Sequence, residues 1–226
     1  MENLSKSLVL IPSLHPDKLL SDYVESLIQK GIKRILVIDD GSGEDRKYQD
    51  IFDEIKKHEE CTVLGYKKNQ GKGFALKHGF EYIKNNIPEA EYIITADSDG
   101  QHTAEDVFKM IASLEEHENS LVLGSRAFSD KEIPLRSRFG NKTTSVFFKL
   151  LYGKYLPDTQ TGLRAFSRAR LDFLIGIPGN RFEYEMNMLI YCAVNKIPFE
   201  IVEIQTIYIE ENKSSHFRPL QDSFRI

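Results

Sequence analysis

The stretch 92-YIITADSDGQHTAED-106 decides how this chain reads. Its apolar start, Tyr92-Ile93-Ile94, has the character of a buried strand, and two carboxylates one residue apart, Asp97 and Asp99, follow at once. Thr103-Ala104-Glu105-Asp106 then has the form of a capping box, so Glu105 and Asp106 read as helix-start residues rather than catalysts. The same strand-to-polar-turn-to-helix pattern recurs on the N-terminal side. Leu8 to Ile11 is a short apolar strand stopped by Pro12, and a helix is predicted over Asp17 to Lys30, ended by Gly31. Ile35 to Ile38 is a second strand that runs into Asp39-Asp40-Gly41-Ser42-Gly43. A polar helix over 46–58 leads to a third strand, Thr62 to Gly65, and Asn69-Gln70-Gly71-Lys72-Gly73 opens a helix through Phe74, Leu76, Phe80 and Ile83. Beyond the opening stretch, Leu121-Val122-Leu123 ends in Gly124-Ser125-Arg126. Continuous apolar strands alternating with helices predict an α/β fold with a mostly parallel sheet covered on both faces, Rossmann-like in its first half. Ligands of such sheets collect at the carboxyl ends of the strands, where Asp39, Asp40, Asp97, Asp99 and Arg126 stand.

The second half is less regular. A helix is predicted over Arg138 to Tyr152, a polar loop over Asp158 to Arg164, helices over Leu171 to Ile175 and Glu183 to Asn195, and one or two strands within Ile197 to Ile209. No linker or repeat divides the 226 residues, so the expectation is one domain over 1–226.

A net charge of −4 argues against a general nucleic-acid binder, which needs a basic surface. Cys61 and Cys192 lack metal spacing and read as reduced core residues of a cytosolic domain. The N-terminus lacks the pattern of a signal peptide, and no apolar run reaches the ~20 residues of a membrane span.

An Asp-x-Asp pair at a strand end suits a hard divalent cation bound through oxygen. It is not an EF-hand loop, because the twelfth position from Asp97 is Phe108. Nor is Gly71-Lys72 a Walker A loop, since Tyr66 and Gly73 stand where Gly and Ser or Thr are required. What remains is Mg²⁺ or Mn²⁺ that also meets a diphosphate.

Asp39-Asp40-Gly41-Ser42, Asn69-x-Gly71-Lys72-Gly73, Asp97-x-Asp99-Gly100-Gln101-His102, Gly124-Ser125-Arg126 and Thr161-Gly162-Leu163-Arg164 occur in this order. Together they resemble the family 2 glycosyltransferases, and among them the dolichyl- and polyprenyl-phosphate sugar transferases. The resemblance implies a GT-A fold with a nucleotide-binding half at about 1–126 and an acceptor half at about 127–226, a nucleotide-sugar donor, a divalent metal and inversion at the anomeric carbon. It implies that Pro12, Leu14 and Ser98 line the nucleotide-sugar pocket, that Asp39 and Asp40 contact base and ribose, and that Lys72 lies near the nucleotide. It places Asp97, Asp99 and Gln101 around metal and diphosphate, with Asp99, Arg126 and Arg138 as the catalytic set. Arg126, Arg138, Lys213 and Arg218 would hold the acceptor phosphate. Relatives often carry an acid two or three places after the first strand's Pro; 12-PSLHPD-17 offers only Asp17.

The function expected is transfer of a hexose from a UDP-sugar or GDP-mannose to a polyprenyl phosphate at the cytoplasmic face of the membrane. A phosphate monoester is mostly dianionic near neutral pH and attacks without a base, whereas a sugar hydroxyl needs one. The alternatives are a soluble or cell-wall glycan acceptor, with Asp106 or Glu183 as base, and a catalytically idle nucleotide-binding regulator. A nucleotidyltransferase fits less well, because Pro12-Ser13-Leu14 is not a Gly-rich loop. The ending 212-NKSSHFRPLQDSFRI-226 resembles the junction to a GtrA-type membrane domain. Its Phe217, Leu220 and Phe224, flanked by His216, Arg218 and Arg225, suit a membrane surface or the domain's own core.

Overall fold

A computed structural model of the chain describes residues 3–126 and 135–205, with the backbone alone at 3, 135–140, 142, 143 and 147. Seven strands form one sheet: β1 (Ser7–Ser13), β2 (Ile35–Asp39), β3 (Cys61–Gly65), β4 (Tyr92–Thr95), β5 (Leu121–Arg126), β6 (Arg164–Ser167) and β7 (Phe199–Ile204). Their spatial order is β3-β2-β1-β4-β6-β5-β7. β6 runs antiparallel to both of its neighbours, and every other pairing is parallel. Helices pack on both faces of this sheet, the α/β arrangement that the apolar strands and helix spacing predict.

Each apolar strand feeds two cores because its side chains alternate across the sheet. Leu8 and Leu10 face one layer, with Phe80 and Ile83 of α3 (Lys72–Asn86). Val9 and Ile11 face the other, with Leu20 and Leu27 of α1 (Lys18–Gln29), Phe52 of α2 (Arg46–Ile55) and Val107 of α4 (Ala104–Glu116). The unbroken apolar runs in the strands therefore follow from burial on both faces. Asp17 caps α1 by accepting from the Leu19 N–H, and Gly31 ends it at φ +99°. Cys192 is buried, Cys61 half-buried, and both are free; burial raises each thiol to about 12.

The register levels the carboxyl ends of three strands, with Ser13 beside Asp39 and Asp39 beside Gly65. The second half holds α5 (Leu135–Tyr152), α6 (Leu171–Ile175) and α7 (Glu183–Val194). The loop expected over Asp158 to Arg164 stops one residue early. Arg164 opens β6, a strand absent from the sequence expectation; a four-residue strand headed by a charge has no periodicity to display. No helix among the described residues is long and apolar enough to cross a membrane.

Candidate active site

At the end of β4 the chain turns through Asp97, Ser98 and Asp99 into α4. Thr103 caps that helix, its Oγ1 accepting from Asp106 N at 3.0 Å and donating to Asp106 Oδ2 at 2.8 Å. Asp106 is fully buried and also accepts from Lys109 Nζ and Gln205 N. The capping reading of 103–106 is therefore what the geometry has.

Asp97 is the electrostatic centre. Lys72 Nζ stands 2.6 Å from its Oδ1 and 2.7 Å from Glu185 Oε2, so one ammonium bridges two carboxylates on different elements. Burial alone would raise the Asp97 carboxyl; the Lys72 charge overrides this and, with His102, holds it well below the usual range. Burial likewise opposes the Lys72 charge, and Asp97 with Glu185 reverses the effect and raises it. Behind the Asp97 carboxylate lies Gly162, where a Cβ would collide with both oxygens. Asp99 differs: burial, then the Asp97 charge, pushes its carboxyl up, against a hydrogen bond from Gln101 N at 3.1 Å. Two crowded carboxylates of which one resists ionisation form a site that a further cation would relieve. His102 is buried beside them, with Nε2 3.5 Å from Asp97 Oδ2 and no hydrogen-bond partner for Nδ1 among the described residues.

This donor set fits a divalent ion of the Mg²⁺ or Mn²⁺ type. Among the described residues no group of three His, Cys, Asp or Glu side chains gathers to cage a metal. A pair of carboxylates with the remaining positions left to phosphate oxygens is how Mg²⁺ is ordinarily held.

The neighbouring strand ends serve the site differently. Asp39 accepts from Ser42 N at 2.8 Å, and Ser42 Oγ accepts from His15 N at 2.9 Å, tying the turn after β2 to the turn after β1. His15, at φ +51°, stacks on Tyr48 at 4.7 Å. Pro12 is buried, and Leu14 and Ser98 are half-buried. Asp40 also has a structural role that its sequence position does not show. It is 4% exposed, and its carboxylate already accepts from Tyr66 Oη at 2.6 Å, Asn69 Nδ2 at 3.0 Å, Gln70 N at 2.9 Å and Gly71 N at 3.0 Å. Through these hydrogen bonds it pins the 69–71 loop that launches Lys72. The start of α3 is also less open to anions than its glycines suggest, because Phe74 N donates to Asn180 O at 2.9 Å.

Arg126, at the end of β5, forms a two-pronged pair with Asp158: Nε to Oδ2 at 2.7 Å and Nη2 to Oδ1 at 3.2 Å. The Asp158 side chain is fully buried, and Asn141 of α5 fixes the loop around it by donating to Pro157 O and accepting from Thr159 N. Arg126→Ala should therefore lower stability as well as transfer, by about 2 kcal/mol, because it leaves the buried Asp158 carboxylate with backbone N–H partners in place of a guanidinium. Chemical denaturation checks this; an unchanged midpoint would mean that Asp158 does not depend on the pair. Arg164 is 1% exposed; Nε donates to Thr161 O at 3.1 Å and Nη1 to Glu185 O at 2.6 Å. It thus joins the 157–163 loop to the first turn of α7, the turn that carries Glu185. Of the expected phosphate cations, Arg138 lies in α5 with its side chain outside the described residues, and Lys213 and Arg218 lie outside them altogether, as do Phe217, Leu220 and Phe224. Glu185, Asp158, Asn141 and Arg164 were not among the expected site residues. Only Arg164 belonged to a quoted motif.

Three comparisons bear on this site. A model described as glycosyl transferase family 2 matches residues 8–173. The uncharacterized protein MJ1222 of Methanocaldococcus jannaschii is 32% identical over 216 residues, covering 94% of this chain and 86% of that protein. The UDP-N-acetylglucosamine–dolichyl-phosphate N-acetylglucosaminyltransferase of Methanococcus voltae is 31% identical, over 89% of this chain and 86% of its own length. Among solved structures, glucosyl-3-phosphoglycerate synthase from Mycobacterium tuberculosis, in complex with Mn²⁺, UDP and glucosyl-3-phosphoglycerate, superposes with a TM-score of 0.70. That match covers 97% of this chain and 75% of the other at 15% identity, a likeness of fold that, with the α/β sheet described above, makes this the GT-A architecture.

Proposed function

The chain belongs to glycosyl transferase family 2, and from that premise we propose that it moves a hexose from a nucleotide-sugar, UDP- or GDP-linked, to a polyprenyl phosphate at the cytoplasmic face of a membrane. One observation carries the choice of acceptor. The two carboxylates named above as bases for a sugar hydroxyl, Asp106 and Glu183, are both committed to helix starts. Asp106 is fully buried in its cap, and Glu183 Oε1 accepts from Asn180 N at 3.0 Å and Arg181 N at 3.2 Å. A phosphate acceptor has no proton to lose, since its second pKa is about 6. The printed name of the Methanococcus voltae relative, a dolichyl-phosphate transferase, points the same way.

In this reading Asp97 and Asp99, with Gln101, hold the divalent ion, which when bound supplies a Lewis acid for the departing diphosphate. Lys72 keeps Asp97 ionised and aimed, and Glu185 holds Lys72 in place. Asp39 and the turns it joins, with Pro12, Leu14 and Ser98, form the rim for the nucleotide. Arg126, steadied by Asp158, is assigned to the acceptor phosphate, where a guanidinium offers paired donors, and Arg138 is assigned to it by sequence position alone.

The test is a donor screen with UDP-N-acetylglucosamine, UDP-glucose and GDP-mannose, Mn²⁺, and either a short-chain polyprenyl phosphate or a free glycan. Sugar on the lipid phosphate is the expected product. Sugar on the glycan, or donor hydrolysis that ignores the lipid phosphate, would overturn the acceptor.

A further inference from the structure

We propose that the outward face of α5 and the turn after it rest on an anionic lipid surface. This builds on the polyprenyl-phosphate reading and names the part of the fold that would carry it to its acceptor. The inner stripe of α5 is plain: Asn141, Ser145 and Phe148, spaced four and three apart, are all buried. On the far side Val146 is 44% exposed and Leu150 75%, while Leu151 on the flank is 71% and Tyr155 past the turn 55%. Large apolar side chains grouped in the open mark a surface that meets something.

Charge selects the partner. From Ile133 to Pro157 the sequence has five lysines and arginines and no aspartate or glutamate, in a chain whose net charge is −4. Lys149 and Lys154 are exposed beside the leucines, and Lys149 Nζ lies 6.0 Å from the Tyr155 ring centroid. A second copy of the same face would set like charges against each other. An anionic bilayer accepts all three features: leucines enter the acyl boundary, tyrosine sits at headgroup level, and lysines reach the lipid charge. The inner side of the same helix leads to the site, since Asn141 holds the Pro157–Thr159 segment and Asp158 holds Arg126. A lipid phosphate under α5 would then lie beside the loop that steadies its cation.

The experiment is flotation of the chain with neutral phosphatidylcholine vesicles and with vesicles holding about one third phosphatidylglycerol, for wild type and for Leu150→Gln with Leu151→Gln. The wild type should float with the anionic vesicles at low salt and be released at high salt. The double variant should bind about tenfold more weakly, or less still, with its melting temperature and its transfer to a short soluble polyprenyl phosphate unchanged. A wild type that stays in solution, or a variant that floats equally well, overturns the proposal. So does a variant that melts lower or changes its sedimentation coefficient, because the leucines would then be covered by this chain's own residues or by a second copy. A wild type that floats yet transfers nothing to the short acceptor keeps the lipid face and overturns the acceptor instead.

Discussion

Asp99→Asn is expected to leave a folded protein that has lost about a hundred- to a thousandfold of its transfer rate. The fold should survive because Asp99 is half-buried and its only described hydrogen bond is the one from Gln101 N, which an amide oxygen can accept as well. Stability should even rise slightly. Burial and the Asp97 charge raise the Asp99 carboxyl, so ionised Asp99 costs folding free energy above its unfolded pKa, and the neutral amide removes that cost. On the proposed reading, the variant loses one of two anionic ligands of the divalent ion. Calorimetry with UDP should show wild-type affinity dependent on Mn²⁺ and abolished by EDTA, and variant affinity low in both. Equal wild-type affinity with Mn²⁺ and with EDTA would remove the metal from Asp97 and Asp99, and a variant of normal activity would remove Asp99 from the chemistry.

Asp40→Ala carries the largest expected loss of stability, about 4 kcal/mol, or roughly 10 °C in melting temperature for a chain of this size. Four donors converge on that carboxylate, two of them backbone N–H groups at the foot of α3. Hydrogen bonds to a charged acceptor contribute about 1.5–3 kcal/mol each, and the orphaned groups regain water only in part. Freed, the 69–71 loop would no longer aim Lys72, so the rate should fall with stability. A ribose contact would look different: the Michaelis constant would rise and the melting temperature would hold. The two outcomes separate on a thermal melt alone.

The first four βα units were legible because burial on both sheet faces writes unbroken apolar runs such as Leu8 to Ile11 and Ile35 to Ile38. Asp97 and Asp99 were legible because acids at a strand end are seldom there for the core. The partners of these residues were not. Glu185 sits at a helix start, where the dipole favours an acid in any case, and nothing local shows that Lys72 reaches it. Asp158 and Asn141 look like loop and helix polar residues until the fold brings Arg126 to one and Thr159 to the other. Arg164 read as part of a polar loop, whereas its guanidinium is buried and mostly satisfied by main-chain oxygens that no side-chain pattern records.

The reversed direction of β6 has a consequence for how this protein could be re-engineered. The chain leaves the sheet at the carboxyl end of β5 and re-enters at the amino end of β6, and because those two strands are antiparallel neighbours, exit and return lie on the same rim. Arg164 pairs with Leu123, three residues before β5 ends at Arg126, and α5 lies within the excursion between the two strands. The registers of β5 and β6 are set by their own pairings, while Phe148, Leu156 and Asp158 tie the described part of the excursion into the core. Exchanging this excursion between relatives, with those three positions kept, should move acceptor choice and lipid preference together and leave the expected nucleotide rim on β1, β2 and β4 as it was.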